Sequence, residues 1–316
     1  MNGIEIAEQY YRDEVAPGLT GRKHAAALLG AGSEVLGYDD EVSPDHDFGR
    51  RVQIFHPDRD TIGEFFAAHL GFDPGAGVTV ADWLLTPTQI LATLTRGAVF
   101  HDPEGELGRY RERLAWYPDD VWRYALAAGW LKVAQEEAFV GRTGGSGDDL
   151  GSRMLAARQA RELVRLSFLV ERRWAPYGKW LGRAFGELKV AAELGPLLGG
   201  ALGAPGWRER EQLITEAARV VGEKTNELGL AGPIDPAPRQ FYERDVWVVD
   251  AERFTIALAE EITDPVLRAL IDRLGLRHGR VPRLPGTIDQ AVDSTDVLTA
   301  PDRFRACRTA LGLPAE

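Results

Sequence analysis

The 316-residue chain is poor in the features that mark export, membrane insertion or nucleic-acid wrapping. It has one cysteine, Cys307, so an intrachain disulfide is impossible and a cysteine-rich zinc site is excluded. A lone thiol fits a reducing, cytoplasmic setting. None of the six histidines stands at His-x-x-x-His or Cys-His metal spacing, so zinc is not expected. No apolar run approaches the roughly 18 residues a membrane span needs. The stretch Met1 to Arg12 carries Glu5 and Glu8 and lacks the basic, apolar and small-residue layout of a signal peptide. Basic residues are outnumbered, 37 against 48, giving a net charge of -11 without a basic run. Bulk nucleic acid is therefore disfavoured as a partner, although a short or structured RNA on a local patch stays open. The acidic balance favours solubility.

What remains is globular. Hydrophobic residues make up 44% and charged residues 27%, enough to build one large or two ordinary domains. Ile4 to Val15 has helical apolar spacing. His24 to Ser33 is a short apolar run ending in a tight turn, which suits a buried strand, and Val52 to Phe55 alternates as a strand does. Thr61 and Glu64 have capping-box spacing for a helix to Leu70, Val78 to Leu85 reads as a further strand, Thr88 to Thr95 as a helix and Gly97 to Gly105 as a short strand and turn. Beyond that the pattern turns helical. Helices are expected from Asp119 or Asp120 to about Val140, from Asp148 to about Trp174, and over Pro176 to Leu194, Trp207 to Leu228, Ala251 to Ile262 and Pro265 to Leu274. The Gly-rich stretch Gly141 to Gly147 reads as a flexible connector, and Val246 to Val249 as an isolated strand. The expected architecture is α+β: an N-terminal domain over 1–110 with a mixed sheet and flanking helices, then a mainly helical domain over 111–316.

The chemistry-bearing constellation is Gly32-Ser33, eleven residues, then Asp45-x-Asp47 ahead of a strand. Residues i and i+2 of a strand share a face, so Asp45 and Asp47 would present two carboxylates side by side. Such a pair repels unless a divalent cation lies between them, and Mg²⁺ takes hard oxygen ligands completed by substrate phosphates. Gly32 allows close backbone approach, and Ser33 can donate its N–H and hydroxyl to a phosphate oxygen. The plainer reading is a decorated loop. A second copy of the pattern, Asp58-x-Asp60, reads as a turn and helix cap. His46 points to the opposite strand face from the two aspartates and reads as structural. Trp116, Trp122, Trp130 and Trp180 lie at helical positions and read as core. Asp289, Asp293 and Asp296 read as helix caps, with contact to a cationic substrate as the alternative. Ser33 lacks a Gly-x-Ser-x-Gly elbow, so serine-hydrolase chemistry is not indicated.

Gly32-Ser33 with Asp45-x-Asp47 resembles the active-site signature of the DNA polymerase beta superfamily of nucleotidyltransferases. Residues 32–49, 97–107 (GAVFHDPEGEL), 117–124 (YPDDVWRY), 175–181 (APYGKWL) and 289–298 (DQAVDSTDVL) resemble the domain-of-unknown-function family 4037, described as nucleotidyltransferase-like. The resemblance implies a third metal carboxylate on a later strand, a place that Asp82 matches; Asp82 as a helix cap is the alternative. Asp102 competes, but His101 to Gly105 reads better as a turn. Kanamycin-type members close the cleft with a helical domain carrying a phosphate-contacting Lys and a Glu base. Tyr177, Lys179 and Trp180 resemble that motif, so Lys179 is the implied phosphate contact, against a solvated helix lysine. Glu171 is a candidate base, or a partner of Arg172 or Arg173.

The expected function is thus Mg²⁺-dependent transfer of a nucleoside monophosphate from a nucleoside triphosphate, ATP favoured, to a hydroxyl of a small-molecule or protein acceptor. The alternative is a non-catalytic nucleotide sensor or interaction protein of the same fold. An RNA-directed enzyme is a third reading, disfavoured by the charge. By analogy a homodimer is allowed, and no membrane partner is expected.

Overall fold

The computed structural model describes residues 2–39, 50–56 and 59–315, and the chain is α+β and mainly helical. It divides into two compact units. The first comprises 1–116, 176–180 and 292–308, and the second comprises 117–175, 181–291 and 309–316.

In the first unit, Asn2 caps α1 (Gly3–Tyr10) through a complete capping box with Glu5. The chain continues as a π-helical turn, Tyr11–Val15, and a 3₁₀ turn, Ala16–Leu19. Strand β1 (Ala25–Leu28) is buried along its length. Alanine is a weak strand former, but here it is the middle strand, and small side chains suit a strand covered closely on its faces. Ala7, Leu28 and Val35 form one cluster with Ile4 and Phe100 against it, so α1 and the one-turn helix α2 (Ser33–Leu36) share a core with β1. The sheet is completed by β2 (Gln53–Phe55) and β3 (Ala98–His101), in the order β2-β1-β3. Both pairings are antiparallel, with an irregularity between Ala26 and Ala27. The expected mixed sheet is therefore, among the described residues, a small antiparallel one.

Other first-unit helices are α3 (Thr61–Leu70), α4 (Val80–Leu85), α5 (Thr88–Thr95) and α6 (Glu106–Arg113). Two expectations fail here. The segment read as a strand over Val78 to Leu85 is helix α4, because Thr79 and Asp82 form a capping box that outweighs the apparent alternation. Thr61 does not cap α3. Its hydroxyl oxygen accepts the His56 N–H at 2.7 Å, and the N-cap is Asp60 in left-handed backbone (φ 52) without a side-chain cap. Asp102 is a turn residue as expected, accepting the Glu106 and Gly108 N–H groups at 3.1 and 2.8 Å.

In the second unit, α7 (Asp119–Glu136) buries residues on nearly every side, including Trp122 and Trp130. It packs against α9 (Asp149–Val170), where Gly129 meets the Leu166 side chain, and against α13 (Glu252–Glu260), where Trp130 and Phe254 stack at 4.3 Å. The Gly-rich stretch is not a connector. Most of it is helix α8 (Phe139–Gly145), and the glycines are there for contact. A Cβ on Gly144 would collide with Trp207, and one on Gly141 with the Glu211 carboxylate. The segment read as one helix over Pro176 to Leu194 is two, α10 (Gly178–Phe185) and α11 (Ala191–Gly203), the second running into α12 (Trp207–Glu227) as a packed pair. The strand read over Val246 to Val249 is β5 (Trp247–Val248), and it pairs with β4 (Arg239–Gln240). After α14 (Pro265–Leu274) come the hairpin β6–β7 (Leu276–Arg277, Val281–Pro282) and α15 (Ile288–Ala291). The chain then rejoins the first unit with α16 (Thr295–Leu298) and α17 (Pro301–Ala306), which the periodicity did not reveal.

Candidate functional site

The Gly32-Ser33 turn follows the C-terminal end of β1. The side chain of Gln53 extends the sheet past the last residue of β1: it accepts the Leu29 N–H at 3.0 Å and donates to the Leu29 carbonyl at 2.9 Å. Gly30 then takes φ 85 and donates to the Thr93 carbonyl at 3.0 Å. Gly32 takes φ 136, a conformation that favours glycine, and the Glu34 carboxylate folds back over its Cα so closely that no Cβ fits. Ser33 is half-buried and opens α2, and its carbonyl accepts the Tyr38 N–H at 2.9 Å.

Glu34 is buried, and its charge is met by Arg51, whose Nη2 lies 2.7 Å from Oε1. Arg51 also reaches the Ala31 carbonyl. The turn is thus braced from the far strand, because Arg51 lies two residues before β2. Sequence reading missed this pair. The signal was the carboxylate directly after Gly-Ser and an arginine at the entry to the next strand, both too common to single out.

A second group gathers on Tyr38. Arg96 donates to the Tyr38 hydroxyl at 2.8 Å and its guanidinium lies 5.2 Å from the ring centroid. The indole of Trp180, which is 8% exposed, lies 5.5 Å from the same ring. Trp180 Nε1 donates to the Tyr177 hydroxyl at 2.7 Å, and Lys179 Nζ sits 4.7 Å from the Trp180 ring centroid. Lys179, expected on a helical domain, therefore belongs to the compact unit that holds Gly32 and Ser33, tied in through Trp180 and Tyr38. Arg96 is a further cation of this group that the sequence did not point out.

Asp82 has other commitments. Its Oδ2 accepts from the Thr79 N–H at 2.9 Å and the Thr79 hydroxyl at 2.6 Å. Its Oδ1 accepts from Arg305 Nη1 on α17 at 2.9 Å. It is buried on a helix, not displayed at the end of a strand. Asp45, Asp47, His46 and Asp58 lie outside the described residues, and among the described residues no three His, Cys, Asp or Glu side chains converge as metal ligands. Glu171, the candidate base, uses both oxygens on backbone, accepting the Lys189 and Val190 N–H groups at 2.9 and 2.8 Å. It pairs with neither arginine as the sequence suggested; Arg173 pairs with Glu187 at 2.8 Å. Trp122, Trp130 and Trp180 are buried, as expected. Asp289 accepts through its carbonyl from Arg165 at 2.8 Å, and Asp296 through its carbonyl from Arg303 at 3.1 Å.

Residues 83–181 match the family model described as Domain of unknown function (DUF4037). That is about a third of the chain, from Trp83 in α4 to Leu181 in α10. The DUF4037 match takes in Arg96, Tyr177, Lys179 and Trp180, and stops short of Gly32, Ser33, Asp45 and Asp47. No curated protein and no solved structure matches the chain. Among the described residues no helix is long and apolar enough to cross a membrane.

Proposed function

We propose that this protein is a nucleotidyltransferase that uses Mg²⁺ to move a nucleoside monophosphate from a nucleoside triphosphate, ATP favoured, to a hydroxyl of a small-molecule or protein acceptor. The observation that carries the reading is the braced Gly32-Ser33 turn at the end of β1, followed along the chain by Asp45-x-Asp47, with Lys179 held in the same compact unit. The donor set fits the ion: Asp45 and Asp47 offer hard carboxylate oxygens. Asp82 is left out of it, because both of its oxygens already serve Thr79 and Arg305.

Mg²⁺, when bound, would neutralise triphosphate charge and favour in-line displacement. The chain's own groups supply the rest. Gly32, held at φ 136 with the Glu34 carboxylate against its Cα, shapes the turn that presents Ser33. Ser33 donates its hydroxyl to a phosphate oxygen. Lys179 adds a cation that the Trp180 face positions. The acceptor hydroxyl oxygen bonds to the α-phosphorus as its proton passes to water, the bond to the bridging oxygen breaks, and pyrophosphate leaves.

The test is a thermal-shift panel of ATP, GTP, CTP and UTP with and without Mg²⁺, on wild type and on Asp45→Asn/Asp47→Asn. A ligand at about 100 times its dissociation constant stabilises the native state by roughly 2.7 kcal/mol. A Mg²⁺-dependent shift for one nucleotide, absent in the variant, supports the reading; full transfer activity in the variant sinks it. The engagement of Asp82 favours one competing reading, a nucleotide sensor that binds without turnover. Nucleotide binding with no pyrophosphate released in the presence of any acceptor would select it.

A further inference from the structure

The second unit contains an open cleft of about 770 Å³ that no part of the proposed reaction uses. Its walls come from α8, the N-terminal end of α12 and the loop before β5. Three guanidiniums line it, those of Arg142, Arg208 and Arg244, with Asp245 as the sole carboxylate of the lining. Asp245 is matched by Arg208, Nη1 to Oδ2 at 2.6 Å. The lining therefore carries two positive charges in excess, within a chain whose net charge is -11. Two of the guanidiniums lie against aromatic rings. Arg208 lies 4.4 Å from the Trp207 centroid and Arg142 lies 5.4 Å from that of Phe139. Stacking restrains these heads before any ligand arrives, which lowers the ordering cost of binding.

The wall between these arginines is backbone. Gly141 lines the cleft, and directly behind it lies Glu211, which is 4% exposed. Its Oε1 points at the Gly141 Cα and has no hydrogen-bond partner. Burial pushes the Glu211 carboxyl up to about 7, so near neutrality the buried acid is about half protonated and repels an anion less than an ordinary carboxylate would. Thr143 and Ser146 also line the cleft, but their hydroxyls donate to the Phe139 and Thr143 carbonyls at 2.7 and 2.8 Å. A surface of guanidiniums without excess carboxylate matches phosphate groups, whose oxygens accept paired guanidinium bonds.

We propose that this cleft is a metal-independent binding site for an oligophosphate group, engaged chiefly by Arg142 and Arg244, with Arg208 secondary because Asp245 already holds it. The oligophosphate reaches the site either as a free chain or as part of a nucleotide. The site is separate from Gly32-Ser33 and does not rest on the nucleotidyltransferase reading.

The experiment is calorimetric titration of the full chain with inorganic tripolyphosphate, and separately with ATP, in EDTA-containing buffer of fixed ionic strength. EDTA removes the divalent ion that the Gly32-Ser33 reading requires. Wild type and Asp45→Asn/Asp47→Asn should bind tripolyphosphate equally. Arg142→Ala/Arg244→Ala should bind it at least about tenfold more weakly. Arg208→Ala should fall between, and Arg142→Lys/Arg244→Lys should recover part of the loss. Matching circular dichroism and melting for each variant show that folding is intact. Equal binding of ATP and tripolyphosphate assigns the free chain's chemistry as sufficient, and tighter ATP binding assigns a nucleotide. Absence of tripolyphosphate and ATP binding in EDTA, or binding unchanged in Arg142→Ala/Arg244→Ala, overturns the proposal. So does binding lost only in Asp45→Asn/Asp47→Asn, which would place the anion at the first unit's turn.

Discussion

Replacing Asp82 by alanine separates a structural carboxylate from a metal-binding one. The change removes the N3 partner of the α4 capping box, a loss of about 1 kcal/mol. It also strands the Arg305 guanidinium, whose side chain is 20% exposed against 9% for Asp82. Breaking a buried pair by removing one partner costs about 3–5 kcal/mol, and the residual exposure of Arg305 places this case at the lower end. The two losses share one side chain and are not simply additive, so the expected destabilisation is about 3 kcal/mol. Urea unfolding followed by tryptophan fluorescence measures it, since Trp83 and Trp180 both belong to the first unit. Asp82→Asn retains an oxygen for Thr79 and should lose roughly half as much, about 1.5 kcal/mol. A double-mutant cycle with Arg305→Ala should give a coupling of at least about 1 kcal/mol. In Asp82→Asn the Mg²⁺-dependent nucleotide shift should persist. A variant within about 0.5 kcal/mol of wild type that also loses the Mg²⁺ response would refute the argument and return Asp82 to the metal.

Other outcomes follow from the same contacts. Trp180→Ala removes the ring between Tyr38 and Lys179; it should destabilise by about 3 kcal/mol and weaken any nucleotide-induced shift, read by calorimetry and thermal melting. Gly144→Ala drives a Cβ into Trp207 and should cost about 1–3 kcal/mol in urea unfolding, although alanine is the better helix former. Glu137 accepts the Val249 and Ala251 N–H groups at 3.1 and 3.0 Å, and burial raises its carboxyl to about 8; the Glu211 carboxyl is raised to about 7. A raised carboxyl holds its proton in the folded chain after the unfolded chain has released it. These two groups therefore make stability fall as pH rises from about 4.5 toward 8. Glu137→Gln should flatten that slope in denaturant midpoints measured across the range, and an unchanged slope would show that Glu137 does not carry it.

Much of the fold was legible because local signals and tertiary context agreed. The helix over Thr88 to Thr95 and the one over Pro265 to Leu274 have the bounds the pattern predicts, since Pro87 and Gly275 delimit them chemically as well as in space. The misreadings share a cause. At Val78 to Leu85 two side-chain caps decide between helix and strand, and alternation over so few residues carries less information than the cap. At Gly141 to Gly147 composition suggests freedom, while the structure uses glycine for close approach to Trp207 and Glu211. At the candidate site, the Gly32-Ser33 turn was visible because glycine at φ 136 leaves a mark in sequence. The Glu34–Arg51 brace and the Tyr38–Arg96–Trp180 group were not. They join residues of ordinary kind across long separations, and no spacing rule connects them.

The pairing of Asp82 with Arg305 spans 223 residues, and that of Gln89 with Leu298 spans 209. During synthesis from the N-terminus, the first unit therefore waits for nearly the whole chain before its last helix can dock. Until α17 emerges, Asp82 on α4 lacks its guanidinium, and Gly71 at the end of α3 lacks the Arg305 side chain that covers it. The N-terminal segment is thus completed late, and its closure entropy is met only once residues 292–308 arrive. A chain that stops after residue 291 would keep all but the last few residues of the second unit and leave the Gly32-Ser33 unit incomplete.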